Sequence, residues 1–579
     1  MLIGTVASAL AFGLYARVAW PWLVLGWVGL VPWLLALDGT RSLREALAAG
    51  LLMCVAFVLA VFGWFGIAIA DYASVSMATG FVVLVLVAPL LQPQLVTFAL
   101  ARHVVRGRWG WRRAAVTSAC VWVGTEWAAG KLFGDTIGHG LQASVLMRQA
   151  ADLAGAPGLT FVLLLANEHA AAAVRERTVP RRALSAAAAF AALVLALCGY
   201  GAWRLGRLDP DGEPVTAAVV QTDLAHYDRL AAASGTHAAV RTILDTHYAL
   251  SRDGVDVLVW SETVYPTTFG APKSEDGAAF DREIAAFVAR TRVPLVFGAY
   301  DLEDGVEYNA AVFLEPPSGG PLEYETYRKA WLFPFTERTP ALFDRPWIRR
   351  RLPWLGTWQS GAGPAVVSLP LADGRRVPIA PLICYDAVAP RVALDAVRAG
   401  AQLIVTLSND SWFAVGLGPR LHLVVAAFRS IETRRPQVRA TTTGVSAIIT
   451  ATGELEGVAG VHERAALVGT VRPESQATTL MLAWGDWFGP AAAVLGAVLL
   501  AASLAGRRGA GTLVLLLALL AVGCGGDGPR VRPVIRLVAG VPTAPAPMAS
   551  VGGVRGSSRC SPGRASHSTF VETRPSSTT

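Results

Sequence analysis

The sequence predicts a polytopic α-helical membrane domain joined to a water-soluble α/β sandwich. Three observations carry this reading. Hydrophobic residues make up 53% of the 579 and charged ones 16%, a balance that puts much of the chain in lipid. The apolar segments are bunched, seven before residue 205 and one near 483–504. Between them, 205–480 alternates strand-like with helix-like runs and contains one cysteine, Cys384.

Taken in order, the first seven apolar segments lie at 2–16, 18–37, 46–70, 78–101, 114–131, 158–174 and 183–203. A bilayer crossing needs about 20 residues, which most of them supply and the first does least well. The first also lacks the basic start of a cleavable signal. Arginines set the orientation. With a cytoplasmic N-terminus, the inner loops carry Arg41, Arg44, Arg102, Arg106, Arg108, Arg112, Arg113, Arg175, Arg177, Arg181 and Arg182, and Arg507 and Arg508 follow the last span. The outer loops carry Arg17, Lys131 and Arg148. Positive residues gather on the cytoplasmic side, so seven spans place the soluble stretch outside and the eighth returns the chain. These loops explain most of the net charge of +8, and no zinc-finger or RNA-binding spacing is present, so no nucleic-acid partner is expected.

In the soluble stretch, TAAVVQTD, VDVLVWSE, VPLVFGAYD, YNAAVFLEP, PIAPLICYD and AQLIVTLSND read as strands, rich in Val, Ile and Leu. Segments near 228–251, 276–291, 391–400 and 419–434 read as helices. Alternation of the two predicts a layered α/β domain. The expected organisation is a seven-span membrane domain over 1–204, an extracytoplasmic catalytic domain over 205–478, a last span over 479–508, and over 509–579 a short apolar run followed by a disordered tail. The run ends in LAVGC at Cys524, similar to a lipoprotein signal's cleavage box, with a ninth hydrophobic segment as the plainer alternative.

Three motifs carry chemistry. Cys384 ends the run PIAPLICYD, at a strand end, where α/β folds place their reactive groups. A lone thiol in an exported domain is either a buried packing residue or a nucleophile. Glu262 ends the apolar strand of VLVWSETVYP. A partly desolvated carboxylate suits a general base, although glutamates also end strands merely to meet water. Lys329 and Glu337 stand in YRKAWLFPFTERTP. A lysine among aromatics can stabilise an oxyanion or a thiolate, or can snorkel at the surface. Base, cation and nucleophile are the parts that covalent acyl transfer requires.

The order Glu, Lys, Cys in these motifs, with YNAAVF, SNDSWF and GPRLHLVVAAFRSIETRRPQVRATTTG in step, resembles the nitrilase superfamily. That superfamily sets a Glu-Lys-Cys triad on an α-β-β-α sandwich. Seven spans, such a domain and a final span resemble its membrane-embedded branch, the bacterial apolipoprotein N-acyltransferases, over about residues 1–505. The resemblance implies a catalytic Glu262, Lys329 and Cys384. Cys384 would take an acyl chain from a phospholipid as a thioester, and the α-amine of diacylglyceryl-cysteine on an apolipoprotein would then attack it. Neither cofactor nor metal is implied. A monomer in the bacterial inner membrane is, in contact with membrane lipid and with its catalytic domain facing the periplasm.

By the same matching, Glu337, Asn309 and Tyr385 lie near the active site, and Asp386 stands where the family usually has glutamate. Trp412 and Glu432 fall in matching strings; the first could equally be a membrane-interface aromatic and the second a partner of Arg429 or Arg435. Thr336 replaces a usual glycine, and Thr442 and Thr443 replace usual asparagines. An alternative function is a membrane-tethered nitrilase-type amidase hydrolysing a small amide, although a tether needs one span rather than eight. A non-catalytic scaffold is a third reading, opposed by the complete triad. Glu126 places an acid in the fifth span, either functional or a helix-packing partner. Cys54, Cys120 and Cys198 lie in spans as packing residues.

Overall fold

The computed structural model describes residues 1–224, 227–317 and 322–505, with two short strands at Arg532–Pro533 and Arg536–Ala539. The apolar run and Cys524 expected beyond residue 508 lie outside the described residues.

Residues before 206 form helices at Leu2–Tyr15, Val24–Val28, Val31–Leu37, Leu43–Tyr72, Met77–Leu91, Pro93–Ala129, Ala151–Arg175 and Pro180–Leu205. Ser42 caps the Leu43–Tyr72 helix by accepting from the Glu45 N–H, so this long apolar helix, kinked at Phe62, starts at a defined residue. The expected segments 78–101 and 114–131 are redrawn. Met77–Leu91 bends by 48° into Pro93–Ala129, which itself breaks at Gly110. By length and composition, Leu43–Tyr72, Met147–Arg175 and Pro180–Leu205 can cross a membrane, and the bent pair makes a fourth if it is one span. Leu2–Tyr15, Val24–Leu37 and Phe488–Leu504 are shorter apolar helices. Arg102 (2.8 Å), Arg175 (3.0 Å) and Arg106 all pair with Asp38, and Arg102 also pairs with Glu168 (2.5 Å). Loops that the arginine pattern assigns to one side therefore meet at one carboxylate.

The α/β part contains β1 (Val215–Gln221), β2 (Val257–Val259), β3 (Leu295–Glu303), β4 (Val306–Leu314), β5 (Leu322–Arg328), β6 (Ala365–Pro370), β7 (Arg376–Ile383), β8 (Leu403–Ser408), β9 (Gln437–Thr441), β10 (Ser446–Ile449), β11 (Leu455–Ala459) and β12 (Ala465–Val471). One sheet runs β12-β1-β2-β3-β4-β5 and the other β11-β10-β9-β8-β7-β6. Arg536–Ala539 extends the first at β5 and Arg532–Pro533 the second at β6. In each sheet three adjacent central strands are parallel, β1-β2-β3 and β7-β8-β9.

Side-chain alternation gives each sheet two apolar faces. Val215, Ala217, Val219 and Val259 of the first sheet meet Val367, Ile379, Leu403 and Val405 of the second in one buried core. The intervening residues Ala218, Val220 and Leu258 face outward onto helices Thr236–Leu250 and Glu275–Thr291. Ala380, Leu382 and Ile404 do the same against Pro390–Arg398. The result is an α-β-β-α sandwich. Both inner sheets are covered on both faces, as parallel strands require.

The sandwich and the helical region are joined through the buried helix Gly418–Thr433. Arg420, near its start, donates to the Val18 carbonyl (3.0 Å), and Arg434, just past its end, pairs with Asp152 (2.7 Å). Phe413 packs on Trp64 of Leu43–Tyr72, with ring centroids 5.9 Å apart.

Candidate active site

Three strand ends converge. β2 stops at Val259, and Glu262 follows within one turn. Gly298 on β3 lets that turn approach: a Cβ there would fall 2.6 Å from the Glu262 Cα. β5 delivers Lys329, whose backbone N–H donates to the Asn309 carbonyl (2.8 Å) on β4. β7 delivers Cys384, the first residue of a short 3₁₀ turn, Cys384–Val388.

The charged groups are tightly joined. Lys329 Nζ donates to Glu262 Oε1 (3.1 Å) and to Glu337 Oε1 (2.6 Å). Glu262 also accepts from Asn309 Nδ2 (2.7 Å) and from the Asn409 N–H (2.7 Å). Glu337 further accepts from the Phe333 N–H (2.7 Å). Burial would lower the pKa of Lys329, but Glu262 and Glu337 outweigh it and hold the ammonium well above the usual lysine range. Burial pushes the Cys384 thiol up, Glu262 adds to this, and Lys329 opposes it, so the resting thiol is protonated. Nucleophilic use of such a thiol would require a base.

Cys384 has φ of +45°, a left-handed conformation that costs a residue with a side chain roughly 1–2 kcal/mol. Asp386 braces this turn. Its carboxylate accepts from the N–H groups of Ile383 (2.9 Å), Ala330 (3.1 Å) and Trp331 (2.7 Å) and from Tyr327 Oη (3.0 Å). It thereby ties the cysteine turn to the lysine loop, and an aspartate reaches both. Burial still pushes Asp386 up to about 6. Tyr385 donates to the Leu132 carbonyl (2.7 Å), and its ring and that of Trp412 both stand 4.9 Å from the Phe333 ring. Cys384 lines an apolar pocket walled in part by Phe62 and Trp64 of Leu43–Tyr72 and by Phe133.

The structure thus brings together Glu262, Lys329, Cys384, Glu337, Asn309, Tyr385, Asp386 and Trp412. Glu432 is not brought to the pocket. It lies near the other end of Gly418–Thr433, buried and paired with Arg429 (3.0 Å). Burial pushes it up to about 7, with Arg429 opposing. The folded form therefore holds this proton more tightly than the unfolded chain, and stability falls as pH rises between about 4.5 and 7. Glu432→Gln should flatten that slope in thermal melts from pH 5 to 8; an unchanged slope would assign it to other groups. Glu126 accepts from Thr136 Oγ1 (2.8 Å) and lies 3.5 Å from Lys131, both in the loop that follows its own helix. Cys54 and Cys120 are buried and Cys198 is partly so. Thr442 contacts Ser261 through its hydroxyl (2.9 Å), taking up a role in holding the loop before Glu262.

Two residues beside the thiol carry no obvious sequence signal, although both stand in quoted strings: Asp410 of SNDSWF and His422 of GPRLHL. Their ligand atoms and the Cys384 sulfur lie within 4.8 Å of one another. Asp410 is already bonded to Ser408, His422 and Arg439, so a metal ion there would have to displace these partners.

An α-β-β-α sandwich with Cys384, Lys329 and Glu262 clustered at its strand ends has the carbon-nitrogen hydrolase fold. Residues 216–478 match the carbon-nitrogen hydrolase family, and residues 7–168 match the apolipoprotein N-acyltransferase N-terminal domain. An apolipoprotein N-acyltransferase of Caulobacter vibrioides is 30% identical over 62% of this chain and 67% of its own length. One from Geobacter metallireducens is 27% identical over 84% of this chain and 91% of its own. The chain spans 64% of the length of a third, from Bdellovibrio bacteriovorus, at 30% identity. The chain belongs to the apolipoprotein N-acyltransferase family. Among solved structures, an amidase from Nesterenkonia sp. AN1 is 18% identical, with a TM-score of 0.32 over 46% of this chain and 93% of the amidase. A carbon-nitrogen hydrolase from Helicobacter pylori is 15% identical, with a TM-score of 0.30 over 45% and 89%.

Proposed function

We propose that this enzyme moves an acyl chain from a phospholipid, through a Cys384 thioester, to the α-amine of diacylglyceryl-cysteine at the N-terminus of an apolipoprotein. The observation that carries the substrate class is the pocket wall. Phe62 and Trp64 belong to a helix long and apolar enough to cross a membrane, and they line the same pocket as Cys384. A small amide needs no such wall, whereas a lipid acyl chain is matched by one.

In this reading Glu262 takes the proton of Cys384, and the thiolate attacks the ester carbonyl. Lys329 stabilises the oxyanion. Glu262 returns the proton to the departing lysophospholipid oxygen. The incoming amine then attacks the thioester, its proton passes to Glu262, and Cys384 leaves to be reprotonated. Asn309 and Glu337 keep base and cation in register. A thioester is more reactive toward amines than an oxygen ester, so one hard step becomes two easier ones.

The test is incubation of the full-length protein in detergent with labelled phospholipid and a diacylated lipopeptide, with products weighed by mass spectrometry. Equal amounts of lysophospholipid and triacylated peptide are expected. Free fatty acid without acylated peptide would favour a hydrolase.

The orientation belongs to the same proposal. The catalytic domain faces the periplasm, supported by the arginine pattern and by the meeting of its loops at Asp38. Single cysteines introduced within 210–475 should react with an impermeant maleimide from outside, and those within 103–113 and 175–182 should not. The reverse pattern would turn the enzyme over.

A further inference from the structure

Besides Glu262 and Lys329, His422 and Asp410 also stand close to Cys384, with ligand atoms within 4.8 Å of its sulfur. Asp410 follows β8, and His422 lies in the first turns of Gly418–Thr433. Asp410 is fully buried and accepts from Ser408 Oγ (2.6 Å), His422 Nδ1 (2.9 Å) and Arg439 Nη2 (3.2 Å). Gly444 makes room for it, since a Cβ there would fall 2.2 Å from Asp410 Oδ2. Burial would raise the pKa of Asp410, but His422 and Arg439 outweigh it and hold the carboxyl down at about 2. With a carboxylate on Nδ1, the opposite nitrogen, Nε2, lies 3.3 Å from the carbonyl oxygen of Cys384 itself. Nε2 thus faces an acceptor, while Nδ1 faces both the Asp410 carboxylate and a donor, Arg439 Nη2 (3.1 Å).

The bonded carbonyl belongs to the strained residue. Cys384 holds φ of +45°, and its carbonyl shares a peptide unit with the Tyr385 N–H. A donor fixed on that carbonyl restrains the whole unit, and with it the direction of the sulfur. The acyl-transfer chemistry above uses neither His422 nor Asp410. We propose that His422, held by Asp410, is a positioning residue: its Nε2–H donates to the Cys384 carbonyl and keeps the strained turn aimed at the acyl carbon between Glu262 and Lys329. This rests on Cys384 as the nucleophile.

The experiment compares His422→Ala, His422→Gln and His422→Asn in the full chain, with Cys384→Ala as control. It measures the single-turnover rate of thioester formation, KM for phospholipid and melting temperature. A glutamine amide reaches about as far as Nε2, and an asparagine amide only as far as Nδ1. His422→Ala and His422→Asn should form thioester roughly 10–100-fold more slowly, with KM within about twofold, and His422→Gln should recover most of the rate. A normal rate in His422→Ala, or a glutamine variant as slow as alanine, overturns the proposal. The second result would point to proton transfer by the ring. Losses that follow melting temperature equally in all three also overturn it, since the role would then be purely structural. If Cys384→Ala keeps its activity, the nucleophile assignment has failed instead.

Discussion

Cys384→Ala should form no acyl-enzyme and lose transfer by roughly 10³-fold or more, because every step of the relay passes through its sulfur. The fold should survive. Alanine occupies the same left-handed position at similar cost, and only one buried sulfur is removed. Its loss leaves a small void beside a pocket that already exists, so melting should shift by a few degrees at most. The check has two parts, the mass of the protein after incubation with labelled phospholipid and the yield of triacylated peptide. An alanine variant that keeps more than a few per cent of transfer would remove Cys384 from the chemistry. The lone-thiol argument would then revert to its bland form, a packed core residue.

What the sequence reveals of this site follows from how local each signal is. Glu262 and Cys384 each follow an apolar strand, and β1 to β4, β7 and β8 carry apolar stretches that announce themselves. β5 (LEYETYR) and β11 (LEGVA) do not, because charged residues interrupt them and their order comes from pairing with β4 and β10. Lys329 sits at the end of β5, so its motif is legible while the strand that aims it is not. Asp410 and His422 are hidden for a related reason. Their partner atoms are a carboxylate, a guanidinium from β9 and a backbone carbonyl from β7, brought together only by the sheet. Glu432 shows the opposite error. It shares a helix with His422, yet ten residues of helix carry it away from the pocket to Arg429. The break at Gly110, where φ is +77°, and the bend between Leu91 and Pro93 fall at a glycine and a proline, which hydropathy alone does not weigh, so it draws the segments there with different ends.

Glu262→Gln and Lys329→Met separate the base from the cation. Glutamine keeps the size of Glu262 but has one acceptor oxygen, so it keeps either the Asn309 and Lys329 bonds on one side or the Asn409 N–H on the other, and loses the rest. It cannot take the thiol's proton. Because Cys384 is protonated at rest, loss of the base should slow thioester formation by about 10²–10⁴-fold. Methionine fills the place of Lys329 without its charge. The oxyanion then loses its stabiliser, worth roughly 10²–10³-fold, and Glu262 and Glu337 face each other without the ammonium between them. That second effect makes Lys329→Met the less stable of the two, since a buried carboxylate stripped of its partner is costly. The two variants should also differ in kind. Raising pH, which ionises the thiol directly, should recover part of the rate in Glu262→Gln but not in Lys329→Met. Single-turnover rates from pH 6 to 10 make the comparison. Near-normal rates in both variants would mean that Cys384 is activated by something other than these two groups, and His422 would be the first residue to test.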